Sequence, residues 1–302
     1  MFYLEHIKDV ARKVGFDLCG VTECRRLEDD AHFLRQWIAE GNATSLAYLA
    51  RNEEVRADAS RLVEGARSVI VCAAAYRRQR YADDCCTKIA SYACAADYHS
   101  VMRDMLHALC RAAGLADGQV RYRVFTDSAP IFEKRYAVEA GLGWIGRHSL
   151  LITPDYGSYV VLGEIVTDAV FDRYDTPLTA GTCGVCRRCV EACPNQAIAE
   201  RHIDTRRCIS CATIEHKSEL RTPLHGWIFG CDECQNACPY NHSCGEYANS
   251  RLSPLFSPHA LDTASWLAMS KADFDAQLRT TPLLRSGLER IKENIVLSEL
   301  DD

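Results

Sequence analysis

Cys183, Cys186, Cys189 and Cys193 stand in "CGVCRRCVEACP", the spacing C-x2-C-x2-C-x3-C-P. Bacterial ferredoxins hold [4Fe–4S] clusters with this spacing, and in two-cluster forms the fourth cysteine ligates the other cluster. The reason is reach: three thiolates on one tight loop cover three corners of a cubane, while the fourth enters a helix and points away. Pro194 then turns the chain out of the short segment. A second array, "GCDECQNACPY", carries Cys231, Cys234 and Cys238 before Pro239. It lacks one thiolate, and Cys208 in "DTRRCISC" supplies it; Cys211, in the same turn, is the alternative. The crossed arrangement groups Cys183, Cys186, Cys189 and Cys238 round one cluster, and Cys193, Cys208, Cys231 and Cys234 round the other. Structural zinc also uses Cys-x2-Cys pairs, but two triads, each ending in Cys-Pro, overfill a four-ligand ion. Such clusters pass single electrons, so the rest of the chain must hold a site that uses them.

"GLGWIG", Gly141 to Gly146, has the letters of a dinucleotide-binding loop. That loop needs a strand before it and a helix after it, so that a pyrophosphate meets the helix N-terminus. Here the order is reversed. "IFEKRYAVEA" before it has helical spacing, and "SLLITP" after it has strand character. The glycines therefore suit a helix stop followed by a tight turn.

The elements that must position these groups follow from periodicity. "HIKDVARKVG" and "DAHFLRQWIAEG" read as helices ending at glycine, and "DYHSVMRDMLHALCRAAGL" as a long amphipathic helix. "ARSVIVCAAAY", "VRYRVFTD" and "YVVLGEIVTD" read as strands. Helices interleaved with strands without a repeat indicate an α/β or α+β domain with helices packed on a sheet, and the expected fold class is α+β. The expected organisation is an α/β core over 1–174, a two-cluster ferredoxin-like domain over 175–248 that starts in the linker "DTPLTAGT", and a short helical segment over 249–302. A chain of 302 residues exceeds one ordinary core.

Composition is that of a soluble protein, with 48% apolar and 25% charged residues and no run near the roughly 18 apolar residues of a membrane helix. The N-terminus lacks a signal layout, which predicts a cytoplasmic protein with no membrane partner. Seventeen cysteines in such a compartment, where disulfides are rare, point to metal ligation. The formal net charge of −6 argues against a uniformly basic coat but not against a local basic groove. Arg77, Arg78 and Arg80, with Arg187, Arg188, Arg206 and Arg207, serve equally as such a groove or as solvated surface.

"VRADASRLVEGARSVIV", "DYHSVMRDML", "TDSAPIFEKRYAVEAGLGWIGRHSLLITPDYGSYVVLGEI", "CGVCRRCVEACPNQAI", "RRCIS" and "IFGCDECQNACP" together resemble the epoxyqueuosine reductases. The resemblance spans about residues 10 to 290 and keeps the motifs in the family's order. It implies an enzyme that reduces epoxyqueuosine to queuosine in tRNA. Cobalamin would lie between a core domain similar to flavin-reductase relatives and a domain carrying two [4Fe–4S] clusters, which reduce the cobalt. The aspartate matching the family's proton donor is Asp127 in "TDSAP"; a plain helix cap is the competing role for it. To hold a proton near neutrality its pKa must be raised, as burial against an apolar corrin face would do. The resemblance further implies Arg56 as a cobalamin contact and brings Asp127, Ser210 and Asp232 close to the corrin. The implied partners are the anticodon stem-loop of tRNA and an external reductant, with the chain working as a monomer. Departures are Ser128-Ala129 and Arg147-His148 where the family often has "DTGP" and "GKN", a replaced tryptophan near Cys94, and no helical-repeat tail, which bears on the tRNA contacts. Two rivals are a reductive dehalogenase, which usually carries a twin-arginine export signal not seen here, and an electron carrier that would bind no corrin.

Overall fold

The structure is a computed structural model that describes residues 1–302 apart from 44–45, 83, 200–201, 216–221, 243, 245 and 301–302. The chain opens with helix α1 (Leu4–Val14), strand β1 (Leu18–Glu23), helices α2 (Glu28–Ala39) and α3 (Glu53–Ala57), and strand β2 (Ser68–Ala75). Next come β3 (Lys88–Ile89), α4 (Tyr98–Ala112), β4 (Tyr122–Phe125), α5 (Glu133–Glu139), β5 (Trp144–Ile145), β6 (Leu151–Ile152) and β7 (Val160–Thr167). The cysteine-rich part carries α6 (Arg188–Glu191), β8 (Ile198–Ala199), β9 (His202–Ile203), α7 (Ile209–Ile214), β10 (Trp227–Phe229) and α8 (Glu233–Asn236). Helices α9 (Thr263–Ala268), α10 (Lys271–Leu278) and α11 (Gly287–Glu299) close it.

Four strands form an antiparallel sheet in the order β1-β2-β7-β4. Its centre explains the run "SVIVCAAA": all eight residues of β2 are buried, because both faces of the sheet are covered and alternation has no polar side to serve. Ile7, Val10, Met102, Leu106 and Leu109 of α1 and α4 pack on one face against Ile70, Cys72 and Ile165. Tyr136 and Ala137 of α5, with Ala140 just after it, pack on the other against Val69, Val71 and Val166. The expected fold is present, with β1 added; its "LCGVTE" has too little alternation to stand out in sequence.

The stretch after α5 is a turn, as the reversed order of elements required. Gly141 takes a left-handed φ of 74° after the helix, and β5 pairs antiparallel with β6. At Gly143 a Cβ would lie 2.1 Å from the Ile152 carbonyl oxygen.

Packing does not follow chain order. Strand β3 pairs in parallel with β10, and Ile89, Ala93 and Cys94 share a core with Ile228, Phe229, Trp266, Phe274, Leu283 and Ile291. The C-terminal helices thus brace the cysteine-rich part from behind. Asn294 of α11 donates to the carbonyls of Thr213 and Ile228 at 3.1 and 2.9 Å.

Gly143→Ala should destabilise the protein by about 1–3 kcal/mol, the usual range for overpacking. The check is a lowered thermal midpoint; an unchanged midpoint would contradict the close β5–β6 approach.

Candidate active site

The fold gathers the cysteines into two groups. Cys183, Cys186, Cys189 and Cys238 line one small cavity, closed by His148, Ile152, Pro239 and Tyr240. Cys193, Cys208, Cys231 and Cys234 form part of the wall of a second cavity of about 410 Å³. Cys211 lines a different cavity, beside Tyr48 and Glu215. Among the described residues no trio of His, Cys, Asp or Glu side chains converges as a single metal ion needs, whereas a cubane keeps its thiolates apart. Burial pushes the Cys238 thiol up to about 11 and those of Cys231 and Cys234 well above their ordinary range. Thiolates there need positive charge beside them, as cluster iron provides. The "GRH" turn steadies the first loop: Arg147 donates from its backbone N–H to Cys183 Sγ at 3.4 Å and from Nε to the Cys186 carbonyl at 3.1 Å.

Asp127 lines the same 410 Å³ cavity as the second cysteine group. It is not a helix cap, since Phe132 occupies the N-cap position of α5. Its backbone holds a left-handed φ of 56°, which aspartate tolerates better than most residues. This turn directs the carboxyl to α4, where Tyr98 Oη and His99 Nε2 donate to Oδ2 at 3.0 and 3.1 Å. His99 Nδ1 lies 2.7 Å from Asp97 Oδ1, so both ring nitrogens face carboxylates and the imidazolium is favoured. Its pKa rises to about 9, chiefly through Asp127 and then Asp97. Asp127 responds in the opposite sense: the bond from His99 holds its pKa below the ordinary carboxylate range despite desolvation. The expected upward shift is therefore corrected. The proton that the pair holds near neutrality resides on the imidazole. Arg285, from the C-terminal segment, adds positive charge 3.9 Å from Asp127 while bonding Glu215 at 2.8 Å.

Of the remaining expected site residues, Asp232 and Ser210 line the cavity of Asp127 and Arg56 lines an adjoining one. Asp232 is buried at 1% exposure on the wall of the same cavity. It accepts from the Ser91 N–H and hydroxyl at 2.7 and 2.6 Å and from Gln235 at 3.1 Å, and desolvation raises its pKa. Ser210 lies between that cavity and the one lined by Phe33, Trp37 and Tyr48. Arg56 lines a third cavity of about 600 Å³, which meets the first at Glu133 and Lys134. Tyr98, His99, Glu133 and Arg285 were not singled out in sequence. "DYH" opens a helix that reads as amphipathic packing, and Glu133 looks like a solvated helix-start residue.

Two groups of four thiolates beside an ionised cavity define an iron–sulfur oxidoreductase. Residues 182–241 match the family model described as 4Fe-4S double cluster binding domain, and residues 56–128 match the model described as Epoxyqueuosine reductase QueG, DUF1730. An epoxyqueuosine reductase of Cyclobacterium marinum is 38% identical over 297 residues, covering 96% of this chain and 94% of that protein. One from Xanthomonas campestris pv. campestris is 39% identical, covering 96% and 84%. A crystal structure of epoxyqueuosine reductase with a tRNA-Tyr epoxyqueuosine-modified stem loop superposes with a TM-score of 0.85 at 26% identity, covering 97% of this chain and 80% of that one. The Bacillus subtilis enzyme, with its catalytic aspartate loop swung out of the active site, gives 0.84 at 25% identity, covering 97% and 80%. The chain belongs to the epoxyqueuosine reductase family.

His99→Gln should return Asp127 toward the ordinary carboxylate value. It should also remove a pH dependence of stability. His99 has its proton affinity raised in the fold, so its contribution is fully present below 6.5 and lost as pH climbs through about 9. Thermal midpoints recorded across that window should fall in the parent protein and stay flatter in the variant. Parallel curves would mean the imidazolium is not held by Asp127.

Proposed function

We propose that this chain reduces epoxyqueuosine to queuosine in tRNA, with Asp127 delivering a proton. The observation that carries the reading is the position of Asp127, which lines both the cavity walled by Cys193, Cys208, Cys231 and Cys234 and the cavity lined by Phe33, Trp37 and Tyr48. One side supplies electrons; the other offers aromatic faces on which an unstacked base can lie. Phe33 and Tyr48 are 49% and 47% exposed, as stacking requires.

The residues present fit a corrin. Leu150, Leu151, Val160, Val161, Ile198 and Ile209 make the first cavity largely apolar, as a macrocycle face needs. In the adjoining cavity, the buried Arg56 Nε and Trp144 Nε1 have no hydrogen-bond partner among the described residues, and they suit amide or phosphate oxygens on the cofactor's periphery. Arg56 would hold that periphery, while Ser210 and Asp232 would lie along the corrin edge. Bound there, cobalamin would supply two-electron reducing chemistry, and the clusters its single-electron supply. Cys183, Cys186, Cys189 and Cys238 are assigned to one cluster, and Cys193, Cys208, Cys231 and Cys234 to the other. Residues 1–174 then act as the catalytic part, 175–248 as the electron input from an external reductant, and 249–302 as its brace. The chain is proposed to act as a cytoplasmic monomer.

Opening an epoxide leaves an alkoxide, and its loss as water needs a further proton. His99 carries a proton against Asp127 Oδ2. When ligands fill the cavity and exclude water, the carboxylate loses solvation and its affinity for that proton rises. Asp127 then presents the proton to the oxygen, with Tyr98 fixing the carboxyl by its second bond.

Anaerobically reconstituted protein should bind about eight irons, as two four-iron clusters require, and about one cobalamin per chain, and should form queuosine given a strong reductant. Asp127→Asn should retain the corrin spectrum and lose turnover by roughly 10²–10⁴-fold, the range for a general acid; an undiminished rate removes Asp127 from the mechanism. Cys208→Ser should lose about four irons, one cubane's worth, while Cys211→Ser keeps them all. The reverse pattern would exchange the two assignments.

A further inference from the structure

Glu164 lies in the middle of β7, opposite Val71 of β2 and Phe125 of β4. It is 0% exposed on the face of the sheet that packs against α5. Among the described residues, no N–H or O–H donates to either of its carboxyl oxygens. Glu133 opens α5, the helix packed on this face of the sheet, and its carboxyl is the charged neighbour that bears on Glu164. A carboxyl buried without a donor beside a second carboxyl is held in its protonated form. Glu133 also accepts the Asp127 backbone N–H at 2.5 Å, and it lines the cavity that holds Asp127.

We propose that Glu133 and Glu164 share a proton at neutral pH and form a second proton source for the site, with Glu133 facing the cavity and Glu164 storing the proton behind it. The role rests on the epoxide reduction proposed above. Converting an epoxide to an alkene and water breaks two C–O bonds, forms the C=C bond and consumes two electrons and two protons. The clusters carry the electrons. The Asp127–His99 pair carries one proton, and that pair is half of what the reaction requires.

The surroundings favour a neutral pair. Burial, and then the like charge of Asp127, raise Glu133 to about 7; burial and Glu133 push Glu164 well above the carboxylate range. Lys134, next on α5, turns its Nζ to the Ser149 carbonyl at 2.6 Å, and desolvation pulls its pKa down. Arg56 of α3 faces Glu133 from the neighbouring cavity. Tyr98 of α4 and Cys72 of β2, the other titratable neighbours, have phenol and thiol pKa values raised further by burial, so both stay neutral.

The test uses cluster-loaded protein and the isosteric variant Glu164→Gln. Infrared difference spectra without substrate should show a protonated-carboxyl C=O stretch at neutral pH that shifts in deuterated solvent and disappears in the variant. Absence of the band in the parent protein, or its persistence in the variant, overturns the pair. Stability gives an independent reading. Glu133 binds its proton more tightly in the fold, so stability is full below 4.5 and declines as pH rises through about 7. The variant should lack that decline, and retaining it would count against the pair. With cobalamin bound, the variant's kcat should fall by roughly 10²-fold, most steeply at alkaline pH, at unchanged KM, and Glu164→Asp should restore part of it. An unchanged kcat profile beside a lost infrared band overturns the supply role. If Glu164→Gln does not fold, Glu133→Gln, at a half-buried position that keeps an acceptor for the Asp127 N–H, takes its place with the same outcomes. A parent protein that shows the band yet reduces no epoxide defeats the proposed function and not the carboxyl pair.

Discussion

A buried seam of hydrogen bonds between the sheet and α8 fixes where the two cysteine groups sit beside the sheet domain. Asn241 accepts the Ser158 N–H at 2.7 Å and donates to the Ser158 hydroxyl at 2.9 Å, and that hydroxyl donates to Gln235 at 2.9 Å. Arg78 and Tyr159 both donate to Asn236, at 2.8 and 3.0 Å. Gln235 in turn donates to Asp232, which anchors Ser91. The cysteine-rich part has little apolar core of its own, chiefly Ile209, Ala212, Leu224 and Trp227. It therefore takes its position from this seam and from the helices behind it. A buried polar network has directional partners, so it specifies one arrangement where greasy packing would tolerate several.

That placement sets the electrostatics of the cavity. Asp127 in the turn before α5 and Glu133 at the first residue of α5 are joined by one hydrogen bond from the Asp127 backbone, yet their proton affinities move in opposite directions. Asp127 meets an imidazolium and a phenol from α4. Glu133 meets a second carboxyl and apolar side chains of the sheet. Pairs of titratable groups driven apart by their surroundings are the usual mark of acid and base roles. The two diverge because the left-handed Asp127 sends its side chain to α4 while the first residue of α5 sends its own toward β7.

The elements were largely legible along the chain. β2 declared itself because a strand covered on both faces must be apolar throughout. α4 did so because its stripe repeats at helical spacing. The weak "LCGVTE" of β1 and the parallel pairing of β3 with β10 did not, since strands of two or three residues carry no period and pairing partners far apart leave no local trace. "GLGWIG" shows the same limit from the other side. Its letters suit a phosphate loop, but the order of its flanking elements, readable in the sequence, already spoke for a turn, and the turn's use became visible only when Arg147 met the first cysteine loop.

The sequence by itself determined the ligand chemistry and the class of enzyme, because iron–sulfur binding depends on residue type and local spacing, which a loop carries with it. It also pointed to Asp127. The tertiary structure alone decided the charge on that aspartate, because a proton affinity is set by what stands within a few ångströms and not by neighbours in the chain. His99 arrives from a helix 28 positions away and Glu164 from a strand 31 positions beyond Glu133. No pattern in the intervening residues announces either meeting.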